Sequence, residues 1–120
     1  MQEKHVFIFD QIPMVEMSLR GGEGLAQARP MLNPSNPPLP GAFRAASVSV
    51  LPPGCSVGTH QHINDGEVYI IIDGEATYID GKGNRRKLKA GDVTFCYPGE
   101  SHGLVNESDA PVRMAGIIVE

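Results

Sequence analysis

The sequence predicts an all-β protein with the architecture of a sandwich or barrel, and three observations support this prediction. No segment of the 120 residues shows a sustained helical period. Short runs rich in β-branched and aromatic residues recur along the chain, with turn residues between them. The 14 glycines and 10 prolines are spread over the whole chain, so they separate many short elements. The length fits a single domain.

The first 42 residues differ in character from the rest. Residues 6–9 form a short apolar run and are predicted as a first strand. Residues 20–42 contain a glycine-rich stretch and several prolines, through which a regular helix cannot run. We expect an irregular segment there that packs on the barrel, or else forms a lid or an arm exchanged in a dimer. This divides the chain into an N-terminal strand and arm at 1–42 and a β-barrel domain at 43–120.

From Phe43 onward the sequence predicts strands in quick succession. Asp73-Gly74 is typical of a hairpin turn, and the residues 80–84 form a second turn of similar composition. The predicted strands are 46–51, 67–72, 75–79, 85–88, 93–97, 102–106 and Val112–Val119.

Composition excludes several classes of protein. The net charge of −4 and the lack of any basic run longer than 85–87 disfavour binding to nucleic acid. No stretch of about 18 apolar residues indicates a membrane span, and the N-terminus does not resemble a signal peptide. Cys55 and Cys96 show no CxxC pattern. We expect free thiols that pack in the core, in a reducing cytoplasmic compartment.

Three of the four histidines, together with one glutamate, lie at spacings typical of metal ligands. His60 and His62 are two residues apart, so on a strand both side chains face the same side. The turn after them can bring Glu67 from the next strand, and His102 can approach from a third. Imidazole and carboxylate form a ligand set for divalent first-row metals. Tyr69 and Ile71 share the parity of Glu67 and should line the same interior.

Two motifs around these residues resemble those of the cupin family. The first runs from Gly54 through His60, His62 and Glu67 to Gly74 and matches the family's first motif at every position. The second is read in Gly91, Pro98-Gly99, His102 and Asn106, and it departs from the family pattern in one respect. Tyr97 stands where the family has proline, and the proline is displaced to position 98.

The resemblance covers residues 54–106 and implies several properties. It implies a double-stranded β-helix, or jelly-roll barrel, with a divalent metal in its lumen, often in a homodimer. The family's metal ligands carry over to His60, His62, Glu67 and His102. Four protein donors would saturate a tetrahedral zinc, whereas a catalytic zinc keeps an open position. We therefore expect Mn, Fe, Co or Ni with six ligands, with zinc as the alternative.

The leading functional hypothesis is a small-molecule metalloenzyme acting on an oxygen-rich substrate such as a small carboxylate. Dioxygenation, decarboxylation and isomerisation all stay open. Because the histidines are ligands, Glu100 and Tyr69 are the candidates for acid or base catalysis. Candidates for substrate binding are Arg44, Arg113, Cys96 and Ile71, the arginines because a guanidinium grips a carboxylate through two hydrogen bonds. The alternatives are a non-catalytic module that binds a sugar or organic acid, and a purely structural metal.

Overall fold

The computed structural model describes residues 6–31 and 43–120, which form ten strands and one short 3₁₀ turn. The 3₁₀ turn is Phe9–Gln11. The strands are β1 (Val15–Met17), β2 (Ala26–Pro30), β3 (Phe43–Leu51), β4 (Ser56–Gln61), β5 (Gly66–Asp73), β6 (Glu75–Asp80), β7 (Arg85–Lys89), β8 (Val93–Cys96), β9 (Ser101–Val105) and β10 (Val112–Val119). No helix in the described ranges is long and apolar enough to cross a membrane.

The strands form two antiparallel sheets. One has six strands in the order β1-β2-β3-β10-β5-β8, and the other has four in the order β4-β9-β6-β7. Some neighbouring strands come from distant parts of the chain, as in β10, which pairs with both β3 and β5. This arrangement confirms the predicted all-β barrel.

The core lies where the inward faces of the two sheets meet. Along β5, Tyr69 and Ile71 are buried, whereas the intervening Ile70 is only partly buried. Leu51 of β3 and Leu104 of β9 contribute fully buried side chains from the two sheets. The period-two pattern of burial confirms the predicted parity of β5.

The predicted hairpin at Asp73-Gly74 is wrong in its pairing, although a sharp turn is present. Gly74 has a φ of 89°, and a Cβ there would lie 2.6 Å from the carbonyl oxygen of Pro111. β5 and β6 flank this turn but belong to different sheets, so the chain crosses from one sheet to the other instead of folding back. The turn at 80–84 does join a hairpin, in which Ile79 of β6 pairs with Arg85 of β7.

Two predictions for the N-terminal region are also corrected. Residues 6–8 have no regular structure and Phe9 begins the 3₁₀ turn, so no strand forms at 6–9. The Phe9 ring packs against the guanidinium groups of Arg29 and Arg113, whose Cζ atoms lie 4.2 and 3.7 Å from its centre. The segment 20–42 is not irregular throughout, because Ala26–Pro30 pairs with β3. Its portion at 32–42 lies outside the described residues.

Candidate metal centre

Both sheets contribute side chains to one cluster inside the barrel. His60 lies on β4 and His102 lies directly opposite on β9, because the two residues pair in the register of these strands. His62 follows the end of β4, and its backbone N–H donates to the carbonyl oxygen of Glu100 (3.0 Å). Glu67 comes from β5 in the facing sheet. The cluster therefore depends on the packing of the two sheets against each other.

Four donor atoms converge at the centre of this cluster. The Nε2 atoms of His60, His62 and His102 are 3.1–3.2 Å from one another. Glu67 Oε1 lies 3.0 Å from Nε2 of His62 and of His102, and 3.6 Å from Nε2 of His60. His62 and His102 are buried, and the other two side chains are about 10% exposed. This set of four residues can hold a metal ion.

Hydrogen bonds at Nδ1 of His60 and His62 orient the Nε2 lone pairs of these two rings toward the centre of the cluster. His60 Nδ1 donates to the carbonyl oxygen of Gly58 (2.6 Å), and His62 Nδ1 donates to Oδ1 of Asp65 (2.8 Å). A neutral imidazole has one N–H, so Nε2 of each of these rings is an acceptor. These two lone pairs and the carboxylate oxygen of Glu67 face one another at 3.0–3.6 Å, so a metal cation between them would contact all three donors.

The third ring is held by stacking. The His102 ring lies parallel to the Tyr69 ring, with the ring centres 4.4 Å apart and an angle of 7° between the planes. Its Nδ1 is buried and has no hydrogen-bond partner within the part of the chain that the structure describes. The orientation of His102 therefore comes from packing, and its tautomer is free to present an Nε2 lone pair to an ion.

Ionisation in the cluster suits metal binding. Burial would raise the pKa of Glu67, but the hydrogen bonds and charges of His102, His60 and His62, in their protonated forms at low pH, outweigh it and lower that pKa to about 2. Burial also lowers the pKa of His102, against the opposing effect of Glu67. At neutral pH Glu67 is a carboxylate and His102 a neutral imidazole, which are the protonation states that bind metals.

The distances between the donor atoms fit one ion with bonds of about 2.1 Å. With such bonds, donors at right angles are about 3.0 Å apart, tetrahedral donors about 3.4 Å, and opposite octahedral donors about 4.2 Å. Five of the six distances are 3.0–3.2 Å and the sixth, between His60 and Glu67, is 3.6 Å. The long distance is nearer to the tetrahedral value than to that of opposite octahedral donors, so the six distances fit one first-row ion with four or more ligands.

A pocket of about 200 Å³ adjoins the cluster. His60, Glu67 and Tyr69 form part of its wall, and most of the rest is apolar. Ser47 and Ser49 contribute hydroxyl groups, and Arg20 contributes a cation from the segment before β2. A cavity of about 150 Å³ holds a molecule with six non-hydrogen atoms, so this pocket suits a small ligand.

Of the residues predicted to act beside the metal, Tyr69 alone reaches the pocket. Burial, followed by the Glu67 charge, raises the pKa of Tyr69 far above its usual value, and the Arg20 charge acts in the opposite direction. Ile71 is a core residue, 1% exposed. Glu100 is exposed, and its carboxylate accepts a hydrogen bond from the backbone of Tyr97 (2.9 Å).

The remaining predicted binding residues lie elsewhere. The thiol of Cys96 donates to the backbone oxygen of Glu100 (3.5 Å), and burial raises its pKa to about 11. Arg44 pairs with Asp65 (3.3 Å) and Glu120 (3.1 Å) at the surface. Arg113 stacks on Phe9. None of the three lines the pocket in the described structure, because β3 and β10 direct the two arginines away from it.

Sequence reasoning missed three residues that shape the site. Asp65 orients His62, and its position in the turn between His62 and Glu67 was the available signal. Gly116 gives Glu67 room, since a Cβ there would lie 3.1 Å from Oε2 of Glu67. Arg20 precedes Gly54, the start of the first motif, by 34 residues, and nothing in the motif spacing indicates it.

Two facing antiparallel sheets with a histidine–carboxylate cluster between them define a barrel with a candidate metal centre. A family model described as the cupin domain matches residues 47–119, more than half of the sequence. The chain therefore belongs to the cupin family.

Individual relatives agree with this assignment. An oxalate-binding protein of Thermotoga maritima is 34% identical over 102 residues, 85% of this chain and 82% of that protein. The crystal structure of a predicted oxalate decarboxylase from Thermotoga maritima has a TM-score of 0.86 at 32% identity, covering 95% of this chain and 97% of that chain. A protein from Klebsiella pneumoniae with a double-stranded β-helix domain has a TM-score of 0.74 at 25% identity, covering 98% and 90%. The similarity confirms the double-stranded β-helix.

Proposed function

We propose that this protein binds one divalent metal ion through His60, His62, Glu67 and His102 and uses it to bind a small carboxylate in the adjoining pocket. The convergence of four donor atoms at 3.0–3.6 Å, beside a pocket of about 200 Å³, is the observation that supports the proposal. Six-coordinate Mn, Fe, Co or Ni is the expected ion, with zinc as the alternative, because four protein donors would fill a tetrahedral zinc site and leave no position for a ligand. When bound, the ion would act as a Lewis acid toward oxygen atoms of the ligand.

Oxalate is the specific ligand that we propose. It has six non-hydrogen atoms, which suits the volume of the pocket, and its oxygens can bind an ion in pairs. Relatives support the same class, since one is named an oxalate-binding protein and another a predicted oxalate decarboxylase. The largely apolar wall suits a compact ligand better than a sugar, whose hydroxyl groups would each need a partner.

The pocket favours binding over turnover. Among the described residues that line it, Glu67 is the one carboxylate, and it is a proposed ligand. Tyr69 is a poor acid, because its pKa is raised far above the usual value. Decarboxylation needs a group that delivers a proton to carbon, and a group with a pKa near neutrality does this best. The catalytic alternative is a decarboxylase, which the name of one relative favours.

Calorimetric titration of oxalate into Mn²⁺-loaded protein tests the proposal. We expect saturable binding of one oxalate per chain, and loss of that binding in the metal-free protein and in His62→Ala. Proton NMR of the same sample should show no formate, whereas formate that accumulates only with metal would establish the decarboxylase instead. If oxalate binds equally well with and without metal, the proposed role of the four ligands is wrong.

A further inference from the structure

Arg20 lies in an unusual backbone conformation at the mouth of the pocket. Residues 19–22 form a tight turn in which the N–H of Gly22 donates to the carbonyl oxygen of Leu19 (2.9 Å). Both central residues have positive φ, 54° at Arg20 and 72° at Gly21. Such turns favour asparagine or glycine at the first central position, because a larger side chain is strained there. An arginine at this position costs stability, which suggests that its side chain has a function.

The turn is fixed to the strand that carries His60. The N–H of Gly58 on β4 donates to the carbonyl oxygen of Leu19 (2.9 Å). A Cβ on Gly58 would lie 2.1 Å from the carbonyl oxygen of Arg20, so this close approach requires glycine. Two hydrogen bonds join Ser56 to Glu23: the N–H of Ser56 donates to the carbonyl oxygen of Glu23 (2.8 Å), and the hydroxyl oxygen of Ser56 accepts from the N–H of Glu23 (2.7 Å). These contacts hold the backbone of Arg20 against Gly58, which lies two residues before His60 on β4.

Arg20 is the one cation that lines the pocket in the ranges 6–31 and 43–120, where His60 and Glu67 form the metal side of the wall. A divalent ion and Arg20 together outweigh the single negative charge of Glu67, leaving a formal charge of about +2. Without Arg20 this charge would be about +1. With Arg20, the positive charge of the pocket balances a doubly charged ligand. Without Arg20, it balances a singly charged one.

We propose that Arg20 is a specificity residue that selects small dianions over monoanions of the same size. The guanidinium donates to the carboxylate oxygens that the ion leaves free. This inference rests on the proposed function, since it takes the metal-bound carboxylate as given. Strain at the turn is the cost of placing a guanidinium at this point of the pocket mouth.

The test compares oxalate, a dianion, with oxamate, a monoanion of the same size in which an amide replaces one carboxylate. Both are titrated calorimetrically into Mn²⁺-loaded wild-type protein, Arg20→Asn, Arg20→Lys and the control Arg86→Asn. Arg86 is exposed on β7, and its replacement changes the net charge by the same amount. Asparagine tolerates positive φ, so we expect Arg20→Asn to unfold at the same temperature as wild type or higher.

We expect Arg20→Asn to lower the affinity for oxalate about tenfold and that for oxamate less than about threefold, since the exposed guanidinium is partly screened by water. Arg20→Lys should keep part of the preference for oxalate, and Arg86→Asn all of it. An oxalate preference that is unchanged in Arg20→Asn would overturn the inference and leave the proposed function intact. Binding of neither anion by metal-loaded wild type would overturn both.

Discussion

Removal of the Asp65 carboxylate should weaken metal binding although Asp65 is not itself a ligand. Asp65 accepts the hydrogen bond from Nδ1 of His62 at 2.8 Å, and the two side chains are 15% and 1% exposed. This hydrogen bond fixes the tautomer in which Nε2 of His62 presents its lone pair to the ion. In Asp65→Ala the ring can rotate, and its proton can move to Nε2.

The size of the effect follows from the contact. A hydrogen bond to a charged group contributes about 1.5–3 kcal/mol, and solvent screens little of it at this burial. Since about 1.4 kcal/mol corresponds to a factor of ten, we expect the affinity to fall about 10- to 100-fold, as for other groups that orient a metal ligand. Asp65→Asn keeps an acceptor oxygen and should lie between wild type and Asp65→Ala.

Competition for Co²⁺ or Mn²⁺ against a fluorescent chelator measures this change. Arg44→Ala is the matched control, because it removes the partner of Asp65 (3.3 Å) and leaves the His62 contact in place. Arg44 is about half exposed, so we expect a change in metal affinity of less than about threefold. Wild-type affinity in a folded Asp65→Ala protein would refute the reasoning.

Three further predictions concern the barrel and the cluster. Gly116→Ala should displace Glu67 by a few tenths of an ångström and so lower the metal affinity about three- to tenfold. Gly81→Ala is the control: its Cβ would make ordinary contacts, so the metal affinity in the chelator titration should stay unchanged. Metal-free protein should lose thermal stability as pH falls from about 6.5 to 2. The pKa values of His102 and Glu67 are lower in the folded than in the unfolded protein, so the unfolded chain takes up protons first. Constant melting temperatures down to pH 4 would contradict this. Asn106→Ala should lower the free energy of unfolding, measured by urea titration, by about 2–4 kcal/mol, because the buried amide donates to two carbonyl oxygens. A change below about 0.5 kcal/mol would contradict that structural role.

The fold could be predicted where the signal is local. Alternation along β5 and the glycines at turns report conformations that a few residues determine, and the structure agrees with both. The Asp73-Gly74 turn shows that such local signals do not predict strand pairing. Its residues favour a reversal of the chain, but the pairing of β5 is decided by β10, about 40 residues later, and a turn motif does not encode that choice.

The same contrast holds for the site. The spacing of the histidines and Glu67 places four side chains in one cluster, because strand parity and two motif turns determine where each one points. Arg20 reaches the pocket because hydrogen bonds join its turn to β4, more than 30 residues later in the sequence, and the spacing of the motifs does not encode that contact. Arg44 and Arg113 were natural choices by residue type, yet their strands direct them elsewhere. A homodimer and a cytoplasmic location stay predictions.

A crystal structure of metal-loaded protein with anomalous scattering at the metal edge tests the central claim most directly. We predict one anomalous peak per chain, about 2.0–2.3 Å from Nε2 of His60, His62 and His102 and from Oε1 of Glu67, and no such peak in His62→Ala crystals grown with the same metal. An ion bound elsewhere, or an undiminished peak in the His62→Ala protein, would contradict the account.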